Sequence, residues 1–325
     1  AETVSYELRF PKELPAESVE HFLQGWTGTL PPAWKRWATG VPFLIIETRA
    51  RPGAISHHLL ASRRWTHVVE SLLAAHLPGV RYRREEQLTP LRLTHGTEYR
   101  SNTSQRALAV DAAALSVGLL SSLQPMLPNE RLVAQYVIGP HAPVAPPQVQ
   151  NGHGKTWWAS DPAFVDTSEA ATALRRKQTT ALLLGVGRLG VRCDSAERAH
   201  TLLRRMEATW SGARAPGVHL RRRLLPKTTV AHRIDRVVPV VSWPGGAINV
   251  QEASGLIGWP VGIEQLPGLR LGGCRLLPVP QAIPTTGTII GTGTFPSTHR
   301  PVALDSEARL RHLLVTGPTG TGKSV

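Results

Sequence analysis

The chain has little cysteine: Cys193 and Cys274 are the only two in 325 residues. Two thiols cannot build a disulfide framework or a four-ligand zinc centre, so disulfide-stapled and zinc-finger folds are excluded and a reducing compartment is expected. Long apolar runs are missing too. No stretch reaches the roughly 18 to 20 residues that a membrane-crossing helix needs, and the first residues lack the charged, apolar, small-residue order of a secretory signal. A soluble, cytoplasmic chain is the expectation. Aromatics are sparse at 6%, and lysine supplies only six of the 37 basic residues (Lys12, Lys35, Lys155, Lys177, Lys227 and Lys323). There is no Met at position 1, and Val325 follows a motif that should open a helix, so the sequence reads as a piece of a longer protein.

What is present is arginine and enough apolar residue to fold. Hydrophobic residues make up 41%, which can fill a core and excludes wholesale disorder, and the length allows two or three domains. The 37 basic against 23 acidic residues leave a formal charge of +14. That excess has two readings, a surface for a polyanion or the Arg, Ala, Gly and Pro enrichment of GC-rich coding.

Periodicity gives the order of elements. Ser5–Phe10 reads as a strand and Ala16–Gly25 as a helix, with Val19, Phe22, Leu23 and Trp26 at helical spacing. Val41–Ala50 is an apolar strand, Arg51-Pro52-Gly53-Ala54 a turn, and Ile55–Leu60 its hairpin partner. A helix at Arg63–Leu77 and a strand at Val80–Arg84 complete a β-α-β-β-α-β unit. The same order follows again: strand Leu91–Tyr99, helix Arg106–Gln124, strands Arg131–Ile138 and Thr180–Cys193, helix Glu197–Trp210, strand Val218–Leu225. The expected fold class is α/β (α+β), with two tandem ferredoxin-like units at 1–88 and 89–228, the second carrying a Pro/Gly-rich loop insertion at 139–160. Residues 229–309 read as a β-rich connector, with a strand at Val237–Trp243, a short helix capped by Asn249, and β-prone pieces near Gly287–Phe295.

The strand His312–Thr316 then leads into Gly317-Pro318-Thr319-Gly320-Thr321-Gly322-Lys323-Ser324, which fits G-x-x-x-x-G-K-[ST] at every fixed position. Each residue type has a reason. The glycines let backbone N–H groups wrap an anion, the Lys323 ammonium reaches β and γ phosphate oxygens, and the Ser324 hydroxyl ligates Mg²⁺. A helix opening near Gly322 and running through Val325 would aim its positive end at the same phosphates. This predicts ATP and Mg²⁺ as ligands of residues 317–325, the start of a RecA-like ATPase domain at 310–325.

Two look-alikes carry less. Gly185-Val186-Gly187-Arg188-Leu189-Gly190 fits G-x-G-x-x-G, but Val191-Arg192-Cys193 keeps strand character up to Asp194, a candidate helix cap, so a Gly-containing strand or a tight hairpin is expected in place of a dinucleotide turn. Gly152-His153-Gly154-Lys155-Thr156 has Val149 where a phosphate loop needs its first Gly and reads as an ordinary loop. His57 and His58 are adjacent in a strand and point to opposite faces; His67 and His76 lack an acidic partner, so no metal site is expected. The basic runs Arg81-Tyr82-Arg83-Arg84, Arg204-Arg205 and Arg221-Arg222-Arg223 suit nucleic acid, solvated faces or subunit contacts.

Several stretches carry a resemblance: Asn249–Gly262 (NVQEASGLIGWPVG), Leu266–Gly272 (LPGLRLG), Ile290–Pro296 (IGTGTFP), Pro301–Asp305 (PVALD) and His312–Ser324 (HLLVTGPTGTGKS). They resemble the region leading into the motor of conjugative type IV secretion ATPases, the TraD/TraG-like coupling proteins of the FtsK/HerA superfamily. The specific part covers the last quarter of the chain. The resemblance implies an N-terminal adaptor region of a hexameric, ATP-driven DNA translocase, with DNA and other secretion or conjugation proteins as partners. It implies a place at the cytoplasmic face of the bacterial membrane, reached through an upstream segment or a membrane partner. Gly317, Gly320, Gly322, Lys323 and Ser324 carry over as the phosphate loop; the Walker B acid, sensor residue and arginine finger would lie beyond Val325, so this piece alone should not turn over ATP. An alternative reading is a protein-docking assembly module of a secretion-channel ATPase with no direct DNA contact.

Overall fold

The computed structural model describes residues 3–28, 41–85, 88–141, 167–239, 246–263, 266–269, 271–272, 279–293 and 300–310. The chain divides into two compact units, 1–274 and 275–325. It is mixed α and β, with a mostly antiparallel sheet, and none of its described helices is long and apolar enough to cross a membrane.

The first unit begins β1 (Thr3–Arg9), α1 (Ala16–Gly28), β2 (Leu44–Arg51), β3 (Ala54–Ser62), α2 (Thr66–His76) and β4 (Arg81–Glu85). Helix α1 buries Val19, Phe22, Leu23 and Trp26, the residues that its spacing picks out. The β2–β3 hairpin closes on Arg51 opposite Ala54, and Gly53 between them takes φ +68°, a conformation that glycine adopts without steric cost. Then come β5 (His95–Ser101), α3 (Ala112–Ser122), β6 (Arg131–Pro140), α4 (Thr167–Lys177), β7 (Leu182–Arg192), α5 (Ala196–Ser211) and β8 (Leu220–Arg222). The unit continues through α6 (Lys227–Asp235), β9 (Gly246–Asn249) and α7 (Val250–Leu256).

All nine strands join one sheet in the order β4-β1-β3-β2-β6-β7-β5-β8, with β9 beside the first part of β7. Counted from β5, the second set of strands runs 2-3-1-4, the mirror of the 4-1-3-2 order in the first set. The two sets meet edge to edge where β2 pairs with β6, from Leu44 opposite Ile138 to Ala50 opposite Leu132. This joint removes an open edge from each half.

One face of the sheet carries the main core. Tyr6, Leu8, Leu59, Leu44, Ile46, Tyr136, Leu189 and Tyr99 pack there against the apolar faces of α1, α2, α3, α5 and α7. Trp259, just past α7, sits 5.2 Å from the Phe10 ring and 5.5 Å from the Phe22 ring. Each such buried side chain contributes about 1.5–3 kcal/mol relative to exposure. Helix α6 alone among the described helices packs on the opposite face, where Val230, Ala231 and Ile234 meet Leu93 and Val133. Glycine makes room for it: a Cβ on Gly96 would lie 2.8 Å from Ala231 N, and one on Gly190 would lie 2.9 Å from Ile234 Cδ1.

Several local expectations need correction. Helices α4 and α6 stand where no helix is expected from periodicity. The strand expected at Val237–Trp243 is absent over residues 237–239, where Val237 has φ +52°, outside the extended range; 240–243 lie outside the described residues. Pairing instead begins at Gly246. Residues 91–94 precede β5 without strand structure, because the backbone N–H groups of Leu91 and Leu93 donate to the Asp235 carboxylate at the end of α6. Helix α3 begins six residues later than expected, at Ala112, because the Asp111 carboxylate accepts from Ala114 N and caps it. Asp194 is not the cap of α5; Ser195 is. Asn249 caps α7 as anticipated, in a reciprocal box with Glu252.

The second unit, described by itself, holds an antiparallel pair, β10 (Thr288–Thr292) with β11 (Pro301–Leu304), interrupted by an irregularity between Ile289 and Gly291. The Arg300 guanidinium donates to the carbonyls of Val279, Gln281 and Ile283 and fixes the preceding loop against it.

Candidate functional site

The phosphate-loop candidates Gly317, Pro318, Thr319, Gly320, Thr321, Gly322, Lys323, Ser324 and Val325 lie outside the described residues, as do the strand His312–Thr316 and the loop around Lys155. The other candidates can be placed.

The G-x-G-x-x-G run is the middle of β7, continuous from Leu182 to Arg192. No helix opens at its third glycine, so the strand reading holds and the dinucleotide turn is excluded. The glycines serve packing. Cβ atoms on Gly185 and Gly187 would collide with Ile248 and Trp210 on the helix-rich face, and one on Gly190 with Leu93 and Ile234 on the other.

His57 and His58 do point to opposite faces. His57 packs edge-on against Phe10 and shares a 3.1 Å hydrogen bond between its Nδ1 and Thr48 Oγ1. His58 faces the sparsely covered side, with Ser56 Oγ 3.1 Å from its Nε2. Burial pushes both imidazoles down to about 3, and the Arg49 and Arg83 guanidiniums add to the effect at His58. The Ser56–His58 contact is therefore not a catalytic pair. A general base works best with a pKa near the operating pH, and no carboxylate orients His58 Nδ1, which has no hydrogen-bond partner. Among the described residues no three His, Cys, Asp or Glu side chains converge on a metal position. Cys193 is a buried free thiol whose pKa burial raises, which disfavours the reactive thiolate.

The same side of the sheet holds what the sequence reading missed. Residues directly opposite one another in an antiparallel pair project to one face. The register places Arg83, Glu7, His58, Glu47, Gln135, Arg188 and Glu98 in a single row across β4, β1, β3, β2, β6, β7 and β5. Gln135 links the two halves, donating to Glu47 Oε1 at 2.6 Å and accepting from Arg188 Nη1 at 2.8 Å. Arg188, fully buried, donates from Nε to Glu98 Oε2 at 2.9 Å and from Nη1 to the Val238 carbonyl. Glu98 is also bound by Arg223 and lies 3.5 Å from Arg233. Glu47 accepts from Arg49 Nε at 2.7 Å. Burial lowers the Arg188 pKa from its ordinary value, and Glu98 opposes the shift. The signal available in the sequence was a strongly polar side chain inside an apolar stretch, as at Glu47, Gln135 and Arg188, since such residues are seldom buried unless paired.

Two of the three basic runs contribute to this face. Arg81 and Arg83 project to it from one edge of the sheet. At the other edge Arg221 stands opposite Arg100, and Arg223 reaches Glu98. Arg204 and Arg205 belong to α5, and Arg205 donates to the Pro125 carbonyl. The arrangement can hold anions; it presents no nucleophile activated by a base. No protein-family model matches the chain, and no curated protein matches it either.

Proposed function

We propose that the chain is the N-terminal adaptor region of an ATP-binding, DNA-translocating motor of conjugation or type IV secretion. The observation that carries the reading is the run Gly317–Ser324 after an apolar strand, together with the stretches from Asn249 onward that resemble the approach to such motors. Two features support it. The mirrored 4-1-3-2 strand orders suit two ferredoxin-like units fused along one edge, a form with a broad surface for docking. Arginines from both edges share one face, as a region facing a polyanion requires. In this reading ATP and Mg²⁺ bind at Gly317–Val325, DNA or a secretion partner meets the sheet, and subunits assemble as a hexamer at the inner face of the membrane. The test is DNA-stimulated ATP hydrolysis by the protein that contains this region. Lys323→Ala should abolish it, because that ammonium neutralises β and γ phosphate charge; unchanged turnover would overturn the assignment.

A further inference from the structure

A cavity of about 360 Å³ opens on the α6 side of the first half of the sheet, near the size of small-ligand pockets. Its lining includes Arg9, Arg49, Arg51, Arg83 and Arg131, with Glu7 and Glu85 as the acidic residues among those described. The alternation of the strands puts these arginines together. Arg9 shares a side with Glu7, Arg49 and Arg51 with Glu47, and Arg131 with Gln135.

The charges are not balanced internally. Arg49 is held by Glu47 and the Thr89 carbonyl, and Arg83 by Glu7 and Glu85. Arg131 donates only to the Pro128 and Glu130 carbonyls, and Arg9 and Arg51 have no carboxylate within ion-pair distance among the described residues. Arg9 also stands directly opposite Arg81 in the β1–β4 register. His58 lines the cavity at 8% exposure, with Ser56 Oγ 3.1 Å from its Nε2.

We propose that this cavity binds a sugar phosphate, with Arg9, Arg51 and Arg131 on the phosphate and Glu7 and Glu85 accepting from sugar hydroxyls. Arginine suits this role because its planar fork matches phosphate oxygens two at a time. Each glutamate uses one oxygen on Arg83 and keeps the other for a hydroxyl. The same chemistry exists in a nucleic-acid strand, but a volume of about 360 Å³ fits a free small molecule. The proposal uses none of the phosphate-loop residues and stands or falls independently of them.

The test is titration calorimetry of ribose 5-phosphate into the 325-residue chain, into Arg51→Glu/Arg131→Glu, and into Lys323→Ala, with plain ribose and a single-stranded oligonucleotide as further probes. Saturable binding by the chain and by Lys323→Ala is expected, with affinity at least tenfold weaker in the arginine double variant at unchanged circular dichroism. Ribose without phosphate should not bind. Arg9→Glu, on an exposed side chain, gives the same readout if the double variant fails to fold. Absent binding, equal affinity in the arginine variants, loss caused by Lys323→Ala alone, or binding of the oligonucleotide but not of ribose 5-phosphate would each overturn the proposal.

Discussion

The two halves of the sheet have mirrored strand orders, yet the polar row that crosses them is built differently in each. In the second half it is charged, buried and closed over. Arg188 lies between Glu98 and Gln135, and α6 rests on Gly96 and Gly190 beside it. In the first half the row runs through neutral His58 to the exposed Arg83, and a cavity stands where the other half has a helix. The comparison separates two uses of one position in a repeated topology. Where the row is covered, its charges satisfy one another and specify the packing; where it is open, Arg83 pairs with Glu7 and Glu85 near the surface, and Arg9, Arg51 and Arg131 beside the row have no carboxylate partner among the described residues.

The largest effect expected from breaking this comparison is in the covered half. Arg188→Leu leaves Glu98 and Gln135 buried without their main donor and should cost about 3–5 kcal/mol, read as a shifted midpoint in urea unfolding. Arg83→Ala, at the open end of the same row, should cost less than about 1 kcal/mol, because an exposed pair contributes little. Similar losses for the two variants would mean that the halves do not differ as described.

A smaller effect sharpens the contrast through pH. His57 and His58 titrate at about 3 when folded, below the ordinary 6.5, so the unfolded state binds more protons between those values. Their stabilising contribution is complete above pH 6.5 and falls as the pH drops toward 3, by about 1.4 kcal/mol per pH unit for each histidine. Replacing both by Gln should flatten the decline in melting temperature between pH 6.5 and 4. A slope equal to that of the unaltered chain would show that these imidazoles are not held neutral.

Much of the architecture was legible in the sequence, because strand alternation and helical spacing are local. Val19, Phe22, Leu23 and Trp26 announce α1, and Pro52-Gly53 announces the hairpin. Helix α6 was hidden by its composition: Thr228, Thr229 and Val230 are β-branched and strand-prone, and the helix owes its existence to burying Val230, Ala231 and Ile234 against glycines in β5 and β7. The row from Glu7 to Glu98 was hidden for another reason. Glu47, Gln135 and Arg188 are local oddities, polar side chains in apolar stretches, and partners in the row lie far away in sequence, as Arg188 does from Glu98. Gly185, Gly187 and Gly190 matched a motif by their intervals, whereas their environment shows them making room for Ile248, Trp210 and Ile234. The proposed phosphate loop at Gly317–Ser324 is the opposite case: its residues are consecutive, so the expectation is drawn without any tertiary partner.

The most direct test of the proposed motor assignment is titration of MgATP into the 325-residue chain beside Lys323→Ala and Arg51→Glu/Arg131→Glu. Saturable binding is predicted for the chain and for the arginine variant. Lys323→Ala should weaken it at least tenfold, in keeping with the loss of a charge-assisted hydrogen bond worth about 1.5–3 kcal/mol. No binding by the chain, or equal affinity in Lys323→Ala, would contradict the account.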